Sequence, residues 1–199
     1  MIAWVAQAVS LLLLGICFLL FSAASYRHFR AGESWGNTAI RALTLGASTG
    51  FALLCLSGRA PDAGWSVLAS GLALASLGIF RAALTAVPDR VLDVAFTGTG
   101  PEQLFRQGIY GRVRHPLYLS YLLYWAGWLA ACVGAWPTVV GLGGFAALYW
   151  LAARQEEAYL SKRFSKEFRA HRQAAGLFWP ILPRSRVGTD ADTVGFCPK

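Results

Sequence analysis

The sequence predicts an all-α integral membrane protein: five transmembrane helices, N-terminus outside and C-terminus inside, with a cytoplasmic amphipathic helix after the fifth span. Three observations carry that prediction. Of 199 residues, 56% are hydrophobic and only 14% charged, far from the usage of soluble domains. Five apolar stretches, at residues 2–25, 40–57, 65–86, 117–135 and 137–153, each approach the ~20 residues that a helix needs to cross the bilayer core. The basic residues are also one-sided. On the five-span arrangement Arg27, Arg30, Arg41, Arg81, Arg90, Arg106, Arg112, Arg114 and the cations from Arg154 onward share one side or its edge, with Arg59 alone opposite. That is the positive-inside bias. It accounts for the net charge of +8 without a nucleic-acid partner.

The first stretch ends in "FSAAS", small residues of the kind a signal peptidase accepts. It lacks a basic leading region, and Arg27 and Arg30 follow it at once, so it is read as a retained span. Gly46 and Gly50 on the second span, and Gly71, Ala75 and Gly78 on the third, offer small-residue faces for close helix packing. Residues 1–86 are therefore expected to form a three-span scaffold. Arg81, a turn from the inner end of the third span, is placed to extend its head group to the interface.

Residues 87–183 hold the chemistry-bearing part. The connector "PDRVLDVAFTGTGPEQLFRQG" lacks the full G-x-G-x-x-G pattern in a strand–turn–helix setting, so "TGTG" is not read as a phosphate loop. Pro116 suits the first residue of the fourth span and Pro137 the first turn of the fifth. Only "GAWP" separates these two spans, which predicts a tight hairpin, with Gly141 and Gly144 facing span four. Beyond it, Leu160, Phe164, Phe168, His171 and Ala175 repeat at helical spacing, with Lys162, Arg163, Lys166, Arg169 and Arg172 off that stripe. A basic amphipathic helix at the interface is expected. Residues 184–199 read as a disordered tail.

Cys17, Cys55 and Cys132 fall in spans and Cys197 in the tail, with no C-x-x-C spacing. Neither a disulfide nor a metal site is predicted. "GFCPK" places Cys197 third from the end, which is not a prenylation box.

The threshold of span four, "GIYGRVRHPLYLSYLL", sets Arg112, Arg114 and His115 against the amides of a helix N-terminus, a locus that attracts anions. A short hairpin brings the exit of span five to the same level, so Arg154, Glu156 and Glu157 are expected near His115. Two readings stay open on residue patterns alone. The glutamates are surface charges at the start of a cytoplasmic helix, or they form one half of a polar pocket with cationic and anionic sides, fit for a zwitterionic or nucleotide-type ligand.

"GIYGRVRHPLYLSYLL", followed some forty residues later by "RQEEAYLSKRFSKEFRAHR" and "FWPILP", resembles the integral-membrane methyltransferases of the isoprenylcysteine carboxyl methyltransferase type, a group that includes phospholipid N-methyltransferases. The resemblance covers about residues 105–183 and rests on R-H-P-x-Y together with E-E-x-x-L-x-x-x-F. It implies S-adenosylmethionine bound on the cytoplasmic side, with cofactor contacts from Tyr110, Arg112, Arg114, His115, Pro116, Tyr118, Glu156 and Glu157. His115, Arg154 and Glu157 would lie closest to the chemistry. The implied acceptor is a membrane lipid or other lipophilic small molecule, with a carboxylate or thiol favoured over an amine because no dedicated base stands out. No metal is implied. Ser120 and Ser165 stand where the family generally has Gly, and Phe168 and His171 where it often has Tyr. Membrane reductases with a nicotinamide cofactor share the R-H-P hairpin, and a non-enzymatic lipid-binding protein would use the same residues as anchors.

Overall fold

The computed structural model describes residues 1–27, 35–58, 62–88 and 103–181. The "TGTG" connector, the turn holding Arg59, Arg30, Arg90 and the predicted disordered tail lie outside the described residues. Within them the chain is all-helical: α1 (Ile2–Arg27), α2 (Trp35–Ser57), α3 (Ala63–Thr85), a 3-10 turn (Gly108–Gly111), α4 (Pro116–Ala131), α5 (Trp136–Arg163) and α6 (Ser165–Ala174). Four segments are long and apolar enough to cross a membrane: Ile2–Ser25, Thr38–Ser57, Ala63–Thr85 and Trp136–Arg163.

The segment expected as span four differs from the other four. α4 has 16 residues, roughly 24 Å of helix against a hydrocarbon core of about 30 Å. Pro116, Leu119, Ser120, Tyr124, Trp125, Gly127, Trp128, Ala130 and Ala131 are all buried in it. It is the central post of the bundle, wrapped by α1, α3 and α5. Its length is limited by Pro116 at one end and by the turn at Cys132–Ala135 at the other, where the Gly134 amide reaches back to the Leu129 carbonyl (2.8 Å) with Val133 and Gly134 at positive φ.

The cross-contacts show that neighbouring helices alternate in direction. Gln7 of α1 donates to the Cys55 carbonyl at the far end of α2 (3.1 Å), the Ser76 hydroxyl of α3 donates to the Ser120 carbonyl of α4 (2.7 Å), and Ser48 of α2 meets the Tyr124 hydroxyl (2.8 Å). These few polar ties specify register where apolar packing alone would tolerate sliding. Between them lies an aromatic core: Trp125 stacks on Phe145 with centroids 3.8 Å apart and donates to the Tyr149 hydroxyl, while Phe51 meets Trp125 edge-on. Trp4, Trp65 and Trp136 are exposed near the N-termini of α1, α3 and α5, and Trp150 and Trp179 at the opposite end. That is the placement of aromatic belts.

Three sequence expectations are corrected. α3 packs through Ala69, Ala73, Ser76, Phe80 and Ala83, so its Gly71–Ala75–Gly78 stripe, offset by about half a helical turn, faces outward. A Cβ added at Gly71, Gly78, Gly46 or Gly50 would meet nothing within 4 Å. Gly141 seats Phe51 of α2 rather than α4, and Gly144 is open. Cys55 and Cys132 form a disulfide, contrary to the reading of the cysteines as unpaired. Their separation of 77 residues leaves no spacing motif to read, and only the packing of α2 on α4 brings them together.

The amphipathic helix expected after span five is also divided. α5 runs past its apolar part to Arg163, the chain breaks at Phe164, and α6 resumes at Ser165. The Leu160, Phe168, His171 and Ala175 stripe is buried against the protein itself, not laid on lipid.

The glycine that carries close packing is Gly127, where a Cβ would stand 2.9 Å from Leu14 Cδ2 and 3.6 Å from the Ala69 carbonyl. Gly127→Ala is expected to lower stability by about 1–3 kcal/mol through overpacking, while Gly46→Ala leaves it unchanged or slightly raised. Thermal unfolding of the detergent-solubilised variants checks both.

Candidate functional site

The site is built where the chain enters α4. The 3-10 turn closes through Tyr110 N to Gln107 O (3.1 Å) and Arg112 N to Ile109 O (3.0 Å) and leads into residues 112–115. These pair in parallel with the segment after α6: Gly176 N donates to Arg112 O (3.1 Å), Arg114 N to Gly176 O (2.8 Å) and His115 N to Leu177 O (3.1 Å). Gly176 is required there, since a Cβ would collide with the Trp179 carbonyl. Phe178 then places its ring edge-on to His115, centroids 6.4 Å apart.

His115 precedes Pro116 as the residue flanking α4, and its side chain makes no cap to the helix. The imidazole is therefore free to turn to α5. Glu156 and Glu157 are successive residues, pointing about 100° apart around the helix, and they straddle the ring. Glu156 Oε2 lies 3.4 Å from Nδ1, and Glu157 Oε1 lies 3.7 Å from Nε2. Tyr118, nearly one turn into α4, donates its hydroxyl to Glu156 Oε1. Its ring lies between His115 (5.6 Å, 17°) and Tyr149 (5.5 Å, 12°), forming a continuous stack.

Arg114 holds the other carboxylate. Its Nε donates to Glu157 Oε1 at 2.6 Å and its Nη1 to the carbonyls of Arg172 (3.2 Å) and Ala175. Arg114 and Glu157 side chains are 9% and 6% exposed, so this is a buried, charge-assisted pair that also satisfies the C-terminal carbonyls of α6. Arg154 is half exposed, 3.7 Å from Glu157 Oε2 and over the Trp150 ring.

Of the residues named from sequence, His115, Arg114, Tyr118, Glu156, Glu157 and Arg154 are thus brought together. Pro116 is buried as the first residue of α4. Arg112 is exposed and contributes only its carbonyl to the pairing. Tyr110 is buried against Phe105, and its hydroxyl has no hydrogen-bond partner among the described residues. The helix N-terminus expected to attract a ligand anion has the protein's own Glu157 beside it. Ser120, the departure from the family pattern, lies away from the cluster, buried against α3. Sequence reasoning did not single out Tyr149, Phe178 or Gly176. Tyr149 lies two turns before Glu156, an i, i+7 spacing that was the available signal.

Burial alone would lower the His115 pKa, but the flanking Glu156 and Glu157 outweigh it and hold the imidazole above its ordinary value. His171, buried on α6, goes the other way: burial and then the charges of Arg114, Arg106 and His115 lower it. Burial, then the charge of Glu156, raises the Tyr110 phenol. The imidazole is thus flanked by two carboxyl groups, with the rings of Tyr118 and Tyr149 stacked to one side. Among the described residues no group of three or more His, Cys, Asp or Glu is arranged to hold a metal ion.

Comparison of the chain with models of known protein families, with curated proteins and with solved structures finds no match.

Because its folded pKa is raised, His115 contributes stability that is fully present below its ordinary pKa and is lost as pH rises through the folded value. His171, with a lowered pKa, has the opposite sign, and since the His115 charge is one cause of that shift, the His115→Gln variant is compared with wild type in a His171→Gln background. That difference in thermal midpoint is expected to be largest near about pH 5.5 and to shrink toward about pH 9.

Proposed function

We propose that this chain is an S-adenosylmethionine-dependent integral-membrane methyltransferase acting on a lipophilic acceptor. The observation that carries the reading is the direct contact between the R-H-P-x-Y and E-E pieces: Tyr118 and His115 on Glu156, and Arg114 and His115 on Glu157. These are the two pieces on which the family resemblance rests, and they lie 38–43 residues apart in sequence.

The residues present fit the cofactor chemically. Glu156 is 28% exposed at its side chain, leaving it within reach of ribose hydroxyls or the methionyl ammonium. Arg154, half exposed, suits the carboxylate. Among the described residues neither the buried His115 Nε2 nor the Tyr110 hydroxyl has a hydrogen-bond partner, and unsatisfied buried groups of this kind call for a ligand or water. Bound S-adenosylmethionine supplies an activated methyl group, so the protein's task is alignment and exclusion of water. Tyr118 and Tyr149 form an aromatic wall toward the apolar bundle. Both nitrogens of His115 already face the protein's own glutamates, so no described side chain of the cluster stands free as a dedicated base, which favours an acceptor that arrives as an anion, a carboxylate or ionised thiol, over an amine.

The arrangement in the membrane belongs to the same proposal: five crossings with α4 as the short central one, N-terminus outside, and the site at the cytoplasmic end. It draws on the basic residues gathered near the site, Arg106, Arg112, Arg154, Lys162, Arg163, Lys166, Arg169 and Arg172. A non-enzymatic reading draws on one observation, that Arg114 and Glu157 are each satisfied within the chain.

Titration of the purified protein with S-adenosylmethionine is expected to show saturable binding, weakened about tenfold, or ~1.4 kcal/mol, by Glu156→Gln. Labelled methyl should transfer to a component of membrane extract. Binding of NADPH in place of S-adenosylmethionine would transfer the site to a reductase, and binding of neither, with no methyl transfer, would leave the lipid-binding reading.

A further inference from the structure

The end of the bundle remote from the site carries a feature that the methyltransferase reading does not use. Cys132 is the residue after α4 and Cys55 lies near the end of α2, and they are bonded. His115 sits at the other end of the same helix, so the sulfurs and the His115–Glu157 cluster are separated by the length of α4.

This bond has a defined mechanical role. The buried residues described in α2 are Ser48, Phe51 and Cys55, one stripe in the second half of the helix. Its ties to other helices cluster there: Ser48 to Tyr124, Phe51 against Trp125, Trp128 and Gly141, and the Cys55 carbonyl to Gln7. No α2 residue described before Ser48 is fully buried. The disulfide therefore closes off the end of α2 at which these buried residues lie. It adjoins an exposed turn in which Val133, a β-branched residue, has φ 54° and Gly134 has φ 68°. A β-branched residue at positive φ is held only where its surroundings fix it, and the bonded Cys132 beside it is one such constraint.

We infer that Cys55 and Cys132 are oxidised from the side of the membrane bearing the N-terminus, by thiol–disulfide exchange with an oxidised dithiol protein, and that this step locks α2 onto α4. The two thiols give up two protons and two electrons, one S–S bond forms in this chain, and one S–S bond in the donor becomes two thiols. Cys132 is the accessible partner, half-buried next to the exposed Val133 and Gly134, whereas Cys55 is buried. Such bonds persist in oxidising compartments and are reduced in the cytosol. The disulfide end therefore faces the oxidising side and the His115–Glu157 end the reducing one. This assignment uses neither the charge distribution nor the proposed activity.

The experiment uses full-length protein in right-side-out membrane vesicles, in a Cys17→Ser/Cys197→Ser background that leaves only the two bonded cysteines. A membrane-impermeant maleimide polymer is applied before and after a membrane-impermeant phosphine reductant, and additions are counted by gel shift. No addition before reduction and at least one, on the accessible Cys132, after it are expected. Labelling without reduction would show that the thiols are free, and labelling that requires permeabilised vesicles would place the bond on the inner side; either overturns the inference. Locking of α2 is read separately. Reduction of the solubilised protein and Cys132→Ser should lower the thermal midpoint to the same extent, on the order of 5 °C or more, and equal midpoints for oxidised and reduced protein would overturn that part.

Discussion

Arg114 joins three stretches of chain at one guanidinium. It stands in the short segment leading into α4, reaches Glu157 on α5, and takes up the carbonyls of Arg172 and Ala175 where α6 ends. Burying two charges costs several kcal/mol per ion, and removing one partner of such a pair typically costs about 3–5 kcal/mol because the other is left uncompensated. Here the cost is offset by hydrogen bonds that also satisfy carbonyls left open at a helix end. The pair is buried and in direct contact, and the geometry around it follows. With Glu157 fixed toward Arg114, Glu156 must point to the other side of the imidazole, where Tyr118 meets it.

From that tie the aromatic stack extends inward. His115, Tyr118 and Tyr149 lie nearly parallel, and Tyr149 receives the indole N–H of Trp125. A charged, hydrogen-bonded cluster at the end of α4 thereby grades into an apolar core through rings that carry one polar atom each. An amphiphilic acceptor with its reacting group at the cluster and its tail among aromatic and aliphatic side chains would match this gradient. α4 is short because it carries the site at one end and the turn at Cys132 at the other, with the longer α1, α3 and α5 around it.

The sequence disclosed what depends on local pattern. Apolar runs marked α1, α2, α3 and α5, prolines marked where α4 and α5 begin, and the charge at "GRVRHP" and "RQEEAYL" placed both halves of the cluster. Their meeting was legible because "GAWP" is too short for anything but a hairpin. What depends on which face of a helix meets its neighbour was hidden. Glycine at 46, 50, 71 and 78 looks the same in sequence as glycine at 127 and 141, yet only the last two are covered. The pairing of Cys55 with Cys132 and the engagement of Arg114 by α6 carbonyls arise from contacts between distant segments, for which no spacing exists. The break at Phe164 interrupts a periodicity that reads as continuous because the buried stripe continues across it.

The central claim is that the buried Arg114–Glu157 pair holds the cluster together, and a double-mutant cycle on thermodynamic stability tests it most directly. Arg114→Gln, Glu157→Gln and the double variant are compared with wild type by reversible unfolding in mixed micelles. The account predicts a coupling energy of about 1–3 kcal/mol, the two single losses being far from additive. Additivity within about 0.5 kcal/mol would show that the two side chains act independently and would contradict it.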